Sequence, residues 1–227
     1  MVFSSPGEAF QEIAARPRWW VPVLLIGLVS TIYSLAFAAK VGFDRGIRQI
    51  IESSPQAANL TPPQIEAAAA RGAQIGQLTG YFAIITTAVG FLIVALVLKL
   101  LFDVLLGADI GLHRMMGIVG YANLPMLLYT GLVLLVLNLK APEDFSLANP
   151  LAFNVGAFLP SGSSAWLRSL GSSLDLFSFW VMGLMAVGVS AASRKISFGK
   201  ALGGVVVCWG TYVCLKVGAL ALQTGRG

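Results

Sequence analysis

The sequence predicts an all-α protein that crosses a membrane five times. Of its 227 residues, 57% are hydrophobic and 11% are charged, whereas soluble domains are about one quarter charged. Five apolar stretches are each close to the ~20 residues that an α-helix needs to cross ~30 Å of hydrocarbon. Basic residues lie mainly at the ends of these stretches, as in membrane proteins generally. We therefore expect one polytopic membrane domain, 1–227, with an N-terminal interfacial helix and a helical hairpin that projects between spans one and two.

The N-terminal helix is predicted over residues 5–16. Ser5 is followed by Pro6, a residue favoured at the first helical position, and Glu8 completes a capping box. Apolar residues fall on one side of this helix, and two tryptophans follow it. Because tryptophan favours the headgroup level of a bilayer, we expect the helix to lie along the membrane surface.

The first span is predicted over residues 20–39. Arg16 and Arg18 precede it, and the small residues at its end resemble the cleavage site of a signal peptide. The apolar run is longer than that of an ordinary signal peptide. We therefore interpret it as a retained span.

Helical periodicity continues beyond the first span through a more polar region, residues 40–79. Thr61 and Gln64 form a second capping box. Three glycines spaced four apart then lead into the second span, about 80–102, and permit close helix approach. We expect spans one and two to extend out of the bilayer as a hairpin that turns at residues 55–61.

Ionisable residues gather at the end of the second span. Lys99 and Asp103 are four residues apart, which is the spacing of an ion pair on a helix, here at the membrane boundary. Ionisable groups at membrane depth are candidates for function, although long basic side chains at span ends also reach water. His113 is the only histidine, and we interpret it as an interfacial residue rather than a metal ligand or base.

The third span, about residues 117–137, has the least regular sequence of the five. Gly120, Tyr121, Asn123 and Pro125 stand in its first third. Proline removes one backbone donor and crowds the carbonyl four residues back, which predicts a kink or a loosened turn. A carbonyl freed in lipid needs a partner inside the protein. A packed bundle should therefore surround this helix.

An apolar but broken stretch, residues 138–173, follows the third span. It is too apolar for a solvated linker and too rich in Pro, Ser and Gly for a span. We expect a loop that folds back over the bundle and contains short interfacial helices. The fourth and fifth spans are predicted over 174–193 and 201–222, and Asp175 is placed to stabilise the start of the fourth.

No motif of enzymatic chemistry is present. The sequence lacks a nucleophile elbow, a P-loop and the spacing of a zinc site, and its carboxylates are scattered at span ends, which leaves little for acid–base catalysis. Cys208 and Cys214 point in different directions around a helix and should not pair. We expect a protein that is not an enzyme and needs no cofactor or metal. Nucleic-acid binding is also not expected, because no basic stripe with interleaved aromatics occurs.

The distribution of positive charge predicts the orientation. Six basic residues lie in the N-terminal segment and in the connections near 103–116 and 194–200; they are Arg16, Arg18, Arg114, Arg194, Lys195 and Lys200. A similar number on the other side is spread over roughly twice the length, and short loops decide orientation. We therefore expect a cytoplasmic N-terminus and a C-terminus outside.

Five short segments spread over nearly the whole chain form a recognisable pattern. They are SPGEAF at 5–10, Pro17-x-Trp19-Trp20, GYANLP at 120–125, LDLFSFW at 174–180 and SFGKAL at 197–202. Together they resemble bacterial members of the Yip-domain (Yip1-like) family of five-span membrane proteins. The acidic, tyrosine-bearing motif of many eukaryotic members is absent before the first span, and this departure argues against a Rab-type GTPase as partner.

The resemblance implies an adaptor or organiser of the bacterial inner membrane. Its partners would be membrane lipids and another integral membrane protein, such as a transporter complex, or a second copy of itself. The hairpin and the apolar loop at 145–170 are the candidate contact surfaces. The candidate functional or packing residues are Gly120, Tyr121, Asn123, Pro125, Asp175, Ser178 and Trp180.

A transport component is the alternative interpretation. The chain would then form an oligomeric pore or the membrane subunit of a lipid-moving ABC transporter. This function predicts a cavity of lipid or solute size near Tyr121, Asn123, Pro125 and Asp175.

Overall fold

The protein is all-α over the residues that its computed structural model describes, which are 2–52, 54, 57, 59–160 and 162–224. A π-helical turn, Leu100–Leu105, extends α5, and a 3-10 turn, Val155–Phe158, precedes α8. The α-helices of this part of the chain are α1 (Pro6–Ala15), α2 (Trp20–Lys40), α3 (Phe43–Glu52), α4 (Pro62–Tyr81), α5 (Ala83–Lys99), α6 (Leu112–Ala122), α7 (Pro125–Leu139), α8 (Ala165–Ser173), α9 (Leu176–Ala192) and α10 (Phe198–Thr224).

Four helical segments are long and apolar enough to cross a bilayer. They are Trp20–Lys40, Ala83–Leu105, Leu112–Leu139 and Phe198–Leu222. In the region of the predicted fourth span, α9 is apolar but has 17 residues, which at 1.5 Å per residue is about 25 Å. Length and composition therefore support four spans.

The chain divides into two compact units. Unit 1 contains Met1–Gly27, Ile84–Leu128 and Phe177–Tyr212, and unit 2 contains Leu28–Ala83, Tyr129–Leu176 and Val213–Gly227. The chain changes unit five times: inside α2, α7 and α10, and directly after the first residue of α5 and of α9.

The core of unit 1 is built from α1, α5, α6, α9 and α10. Phe10 of α1, Ile118 of α6 and Val189 of α9 are completely buried in it. The apolar face of α1 thus packs on α6. That α1 lies along the membrane surface stays a prediction.

The start of α1 differs from its prediction. Ser5 occupies the N-cap position, but its side chain makes no capping hydrogen bond, so the predicted capping box is wrong. The backbone of Ser5 has φ −140° and ψ 68°, which is away from the extended conformation that capping residues normally adopt. The helix begins at Pro6, whose fixed φ suits the first helical position.

In unit 2, α3 and α4 pack against each other. A Cβ atom on Gly72 would lie 2.6 Å from Cγ2 of Ile47, and one on Gly76 would lie 2.7 Å from Cδ1 of Phe43. The glycines of α4 therefore make room for large side chains of α3, which confirms the close approach predicted from their spacing.

The N-terminus of α4 has the predicted capping box. Oε1 of the Gln64 side chain accepts a hydrogen bond from the backbone N–H of Thr61 at 2.8 Å. Residues 55, 56 and 58 of the predicted turn lie outside the described residues.

The loop after α7 packs back onto unit 2. Phe145 is 1% exposed and lies in a second apolar cluster with Phe37, Val41 and Leu137. Near its end, the loop pairs with the segment before α9, since the backbone N–H of Val155 donates to the carbonyl of Leu174 at 3.1 Å.

Candidate functional site

The predicted third span is interrupted where the proline stands. α6 ends at Ala122 and α7 begins at Pro125. The carbonyl of Tyr121, four residues before the proline, accepts a hydrogen bond from the N–H of Leu124 at 3.3 Å. The amide side chain of Asn123 donates to the carbonyl of Val119 at 2.8 Å. The break is therefore satisfied within the protein, as the sequence predicted.

Gly120 allows the first turn of α2 and the residue before it to approach this break. A Cβ at Gly120 would lie 2.6 Å from Cγ of Pro22 and 3.7 Å from the carbonyl oxygen of Trp19. Pro22 and Pro125 are fully buried. Gly120 and Pro125 thus serve packing, and Tyr121 packs at the edge of the unit 1 core.

A groove of about 430 Å³ opens beside the break, within unit 1. Of the site residues predicted from the sequence, Asn123 and Ser178 line this groove. Apart from the Tyr212 hydroxyl, the other described lining residues present apolar, aromatic or sulfur-bearing side chains. We call it the unit 1 groove. It is lined by Ile93, Val94, Val97, Leu98, Asn123, Met126, Ser178, Val181, Met182, Met185, Val205, Cys208, Trp209 and Tyr212.

The structure does not bring all the predicted site residues to this groove. Tyr121 and Pro125 do not line it. Asp175 belongs to unit 2, where its backbone pairs with Asn154. It directly precedes Leu176, the first residue of α9, and so lies at the start of that helix, as the sequence predicted.

Trp180 lies on the far side of α9 from the groove lining. Its ring centroid is 5.5 Å from that of Phe3 and 6.4 Å from that of Phe177. The contact with Phe3 was missed, because no local spacing relates residues so far apart in sequence. Trp180 therefore ties the N-terminus to α9 through aromatic packing.

Lys99 and Asp103 form the ion pair for which they are spaced. Nζ of Lys99 is 3.1 Å from Oδ2 of Asp103. The carboxylate also accepts hydrogen bonds from the backbone N–H groups of Ile110 and Gly111 at 2.8 and 3.0 Å. The Asp103 side chain is 9% exposed, so its carboxylate is nearly buried, and it has three polar partners. These contacts hold the connection between α5 and α6 in place.

A second set of bonds holds the same connection, and the sequence did not predict it. Oγ of Ser193 donates to the carbonyl of Ala108 at 2.7 Å, and Nζ of Lys195 donates to the carbonyl of Gly107 at 3.0 Å. The connection after α9 is thereby attached to the connection before α6. Both belong to unit 1.

Ligand chemistry for a metal ion is not assembled in the described part of the chain. No group of three or more His, Cys, Asp or Glu side chains comes together there. His113 lines a separate, mostly apolar depression with Trp19 and Met116. Cys208 and Cys214 are free thiols, as predicted.

Lys216 of α10 makes polar contacts with α8. Its Nζ atom is 3.0 Å from Oγ of Ser173 and 3.5 Å from the carbonyl oxygen of Ser169. It thereby attaches α8 to α10 within unit 2. No pattern in the sequence could have indicated this contact, because 43 residues separate the lysine from Ser173.

Several glycines of α10 face open space. Apart from the chain neighbours and the local backbone of α10 itself, no described atom lies within 4 Å of a Cβ built on Gly199, Gly203 or Gly210. At about 100° per residue these three positions fall within about 40° of one another around the helix. The adjacent Gly204 is different, because a Cβ there would lie 2.6 Å from Cζ of Phe102.

The fold and these contacts define a polytopic α-helical membrane protein. Its described polar contacts hold the connections between helices in place and link neighbouring helices. The chain belongs to the Yip1 domain family, whose family model matches residues 1–219. This is not a known family of enzymes. No curated protein and no solved structure matches the chain.

Proposed function

We propose that the protein is a non-enzymatic membrane adaptor that binds another integral membrane protein, such as a transporter complex, through α10. The observation that carries this proposal is the open stripe of Gly199, Gly203 and Gly210. Lipid tails are as apolar as leucine, so helices in a bilayer associate mainly by close packing, which small residues permit. The stripe offers that packing on a surface that the described part of the chain leaves uncovered.

The glycines of α4 provide an internal comparison. Those at 72, 76 and 80 each have a side-chain atom of α2 or α3 within 2.7 Å of a built Cβ. Their close-packing capacity is used inside unit 2. The same residue type on α10 is available to a helix of another chain.

The loop before α8 supplies a second contact surface. Phe145, in the contact region expected from the sequence, is buried within unit 2. The exposed apolar residues of the loop and α8 are instead Phe153, Val155, Phe158 and Trp166. We assign the loop's contribution to these four side chains.

A capture experiment tests the α10 surface. The protein carrying Gly203→Ile, purified from native membrane in mild detergent, should lose the stoichiometric membrane-protein partner that the unchanged protein retains. Gly90→Ile in α5 is the matched control, because no described atom lies within 4 Å of a Cβ at Gly90 either. Equal capture by both variants, or no stoichiometric partner of the unchanged protein, would count against the proposal. Two differently tagged copies distinguish a partner from self-association.

A transport component is the second candidate, and the unit 1 groove favours it. Its volume of about 430 Å³ is within the range of small-molecule sites, and Asn123 and Ser178 supply polarity among apolar helices. In proteoliposomes, lipid or solute movement should fall when Asn123→Leu removes the amide. If the unchanged protein moves lipid or solute no faster than protein-free vesicles do, this candidate is excluded.

We also propose five membrane crossings, with the N-terminus in the cytoplasm of a bacterial inner membrane. The support is that four helical segments have the length and composition of a membrane span and that the shorter α9 is also apolar. α9 is about 5 Å shorter than a ~30 Å hydrocarbon core, a mismatch that local bilayer thinning or snorkelling at its ends accommodates.

A further inference from the structure

The unit 1 groove lies among helices of membrane-spanning character. Its lining comes from α5, α7, α9 and α10 and from the break before α7, and α5, α7 and α10 belong to segments with the length and composition of a span. No side chain of the described lining is a carboxylate, ammonium, guanidinium or imidazole. Three are methionines, whose flexible thioethers adapt to irregular apolar partners. The groove therefore suits an uncharged ligand that is mainly hydrocarbon.

Three polar groups of the groove wall lie far from the membrane surfaces. Asn123, Trp209 and Tyr212 are each at least ten residues from both ends of their apolar segments, which is about 15 Å along a helix. The hydrocarbon core is ~30 Å thick, so this places them near its middle. A charged lipid headgroup stays in the interfacial region and does not reach them. A polar ligand group at this depth has to be uncharged.

These three groups have hydrogen-bonding capacity that the described part of the chain does not use. Asn123 donates through its NH₂ group to the carbonyl of Val119, but its Oδ1 atom accepts from no described residue. The indole N–H of Trp209 and the hydroxyl of Tyr212 have no hydrogen-bond partner among the described residues either. Asn123 and Trp209 are half-buried and Tyr212 is 63% exposed, so a ligand can reach all three.

Hydrocarbon offers these groups no partner, and a polar group without one is costly there. The wall combines an acceptor on Asn123, a donor on Trp209 and a phenol on Tyr212 that can do both. Trp209 and Tyr212 are three residues apart and therefore neighbours on one face of α10. A ligand hydroxyl matches this set, because it donates and accepts.

The volume of the groove argues against a helix as its occupant. One helical turn with its side chains is about 10 Å wide and 5.4 Å long, so it takes about 420 Å³. The groove, at about 430 Å³, holds no more than that turn. A single hydrocarbon chain has no backbone polar groups to satisfy and can follow the apolar wall.

We propose that the unit 1 groove binds a single-chain lipid alcohol. The chain lies along the apolar wall, and the hydroxyl bonds to the polar set formed by Asn123, Trp209 and Tyr212. This inference rests on the transport candidate for the use of the groove and names its substrate class. Binding measured without transport tests it separately.

The experiment adds oleyl alcohol, oleyl acetate or oleate to the full-length protein in detergent, and measures Tm and bound mass by native mass spectrometry. A ligand that binds only the folded protein raises Tm. Oleyl alcohol should do so most strongly, with one molecule bound. The acetate has no donor and oleate is charged, so each should bind about fivefold more weakly or worse. Equal binding of the acetate overturns the role of the hydroxyl, equal binding of oleate overturns the preference for an uncharged ligand, and no bound alcohol overturns the whole proposal.

A matched pair of tyrosine variants tests the polar contact. Tyr212→Phe removes one hydroxyl and should weaken the binding of oleyl alcohol about fivefold, the effect of one hydrogen bond. Tyr81→Phe removes a hydroxyl from a similarly exposed position, 51% exposed, at the end of α4, and should bind as the unchanged protein does. Equal affinities of the two variants overturn the contact with Tyr212.

A second pair tests the location. Ile93 and Ile85 of α5 are 57% and 59% exposed, and Ile93 alone lines the groove. Ile93→Trp should fill the groove and weaken binding at least tenfold, whereas Ile85→Trp should not. Equal binding by both overturns the location. A dimer that Ile93→Trp abolishes and oleyl alcohol does not affect would assign the groove to a second copy of the chain. If Ile93→Trp gives no unfolding transition, the tyrosine pair decides.

The two proposals can fail independently. Binding of the alcohol by a protein that moves no lipid or solute in vesicles keeps this inference and excludes the transport candidate. Movement of another solute by a protein that binds no alcohol excludes this inference alone.

Discussion

Gly203 and Gly204 are neighbours on α10 with opposite surroundings. A Cβ at Gly204 would lie 2.6 Å from Cζ of Phe102, which is completely buried, whereas no described atom lies within 4 Å of a Cβ at Gly203. A buried phenylalanine in a packed core has little freedom to move away. Gly204 therefore serves packing inside the protein, whereas Gly203 is available for contact with a partner.

Alanine at these two positions should have different effects on stability. Gly204→Ala is expected to lower the free energy of unfolding by about 1–3 kcal/mol, because the added methyl overpacks the core. Gly203→Ala is expected to be neutral or to stabilise by up to about 1 kcal/mol, because alanine has the higher helix propensity. Thermal unfolding of both variants in one detergent tests this difference. Equal destabilisation would contradict the assignment of Gly203 to an open surface.

The surroundings of these glycines mark a limit of sequence reasoning. Spacing identifies the small residues of α4 and α10, but only the structure separates those that meet a side chain from those that do not. The interruption before Pro125 was predictable because the rule for proline is local. The contact of Lys216 with Ser173 was not, since it depends on where a 36-residue loop packs.

The ion pair at the end of α5 should contribute less than the hydrogen bonds around it. Asp103→Ala leaves the N–H groups of Ile110 and Gly111 without their acceptor, so we expect a loss of about 2–4 kcal/mol in unfolding free energy. Lys99→Met keeps both backbone bonds, and the lysine side chain is 35% exposed, so we expect about 1 kcal/mol or less.

Chemical or thermal unfolding of the two variants distinguishes these contributions. If Lys99→Met proved as damaging as Asp103→Ala, the charge pair rather than the backbone contacts would hold the connection. Ser193→Ala is an independent check, because Ser193 bonds to Ala108 in the same connection without touching the ion pair. It should cost about 1 kcal/mol.

The loop after α7 should depend on one anchoring side chain. Phe145 is 1% exposed in the cluster with Phe37, whereas Phe158 is 79% exposed. Phe145→Ala should release the loop and make it sensitive to limited proteolysis, because removal of a buried phenylalanine costs about 3–5 kcal/mol. Phe158→Ala is the control and should leave the cleavage pattern unchanged. Protection of the loop in Phe145→Ala would mean that other contacts hold it.

Five crossings predict which connections share a side of the membrane. In a chain whose natural cysteines are replaced by serine, single cysteines at Asp109 and Ser197 should react with a membrane-impermeant thiol reagent from the side of the N-terminus. Single cysteines at Asn59 and Phe158 should react only from the opposite side, because an odd number of spans separates them from the first pair. If α9 does not cross, Phe158 and Ser197 will be labelled from the same side. Labelling in intact cells, compared with inverted membrane vesicles, therefore tests α9 directly, and it reports the orientation of the N-terminus in the same experiment.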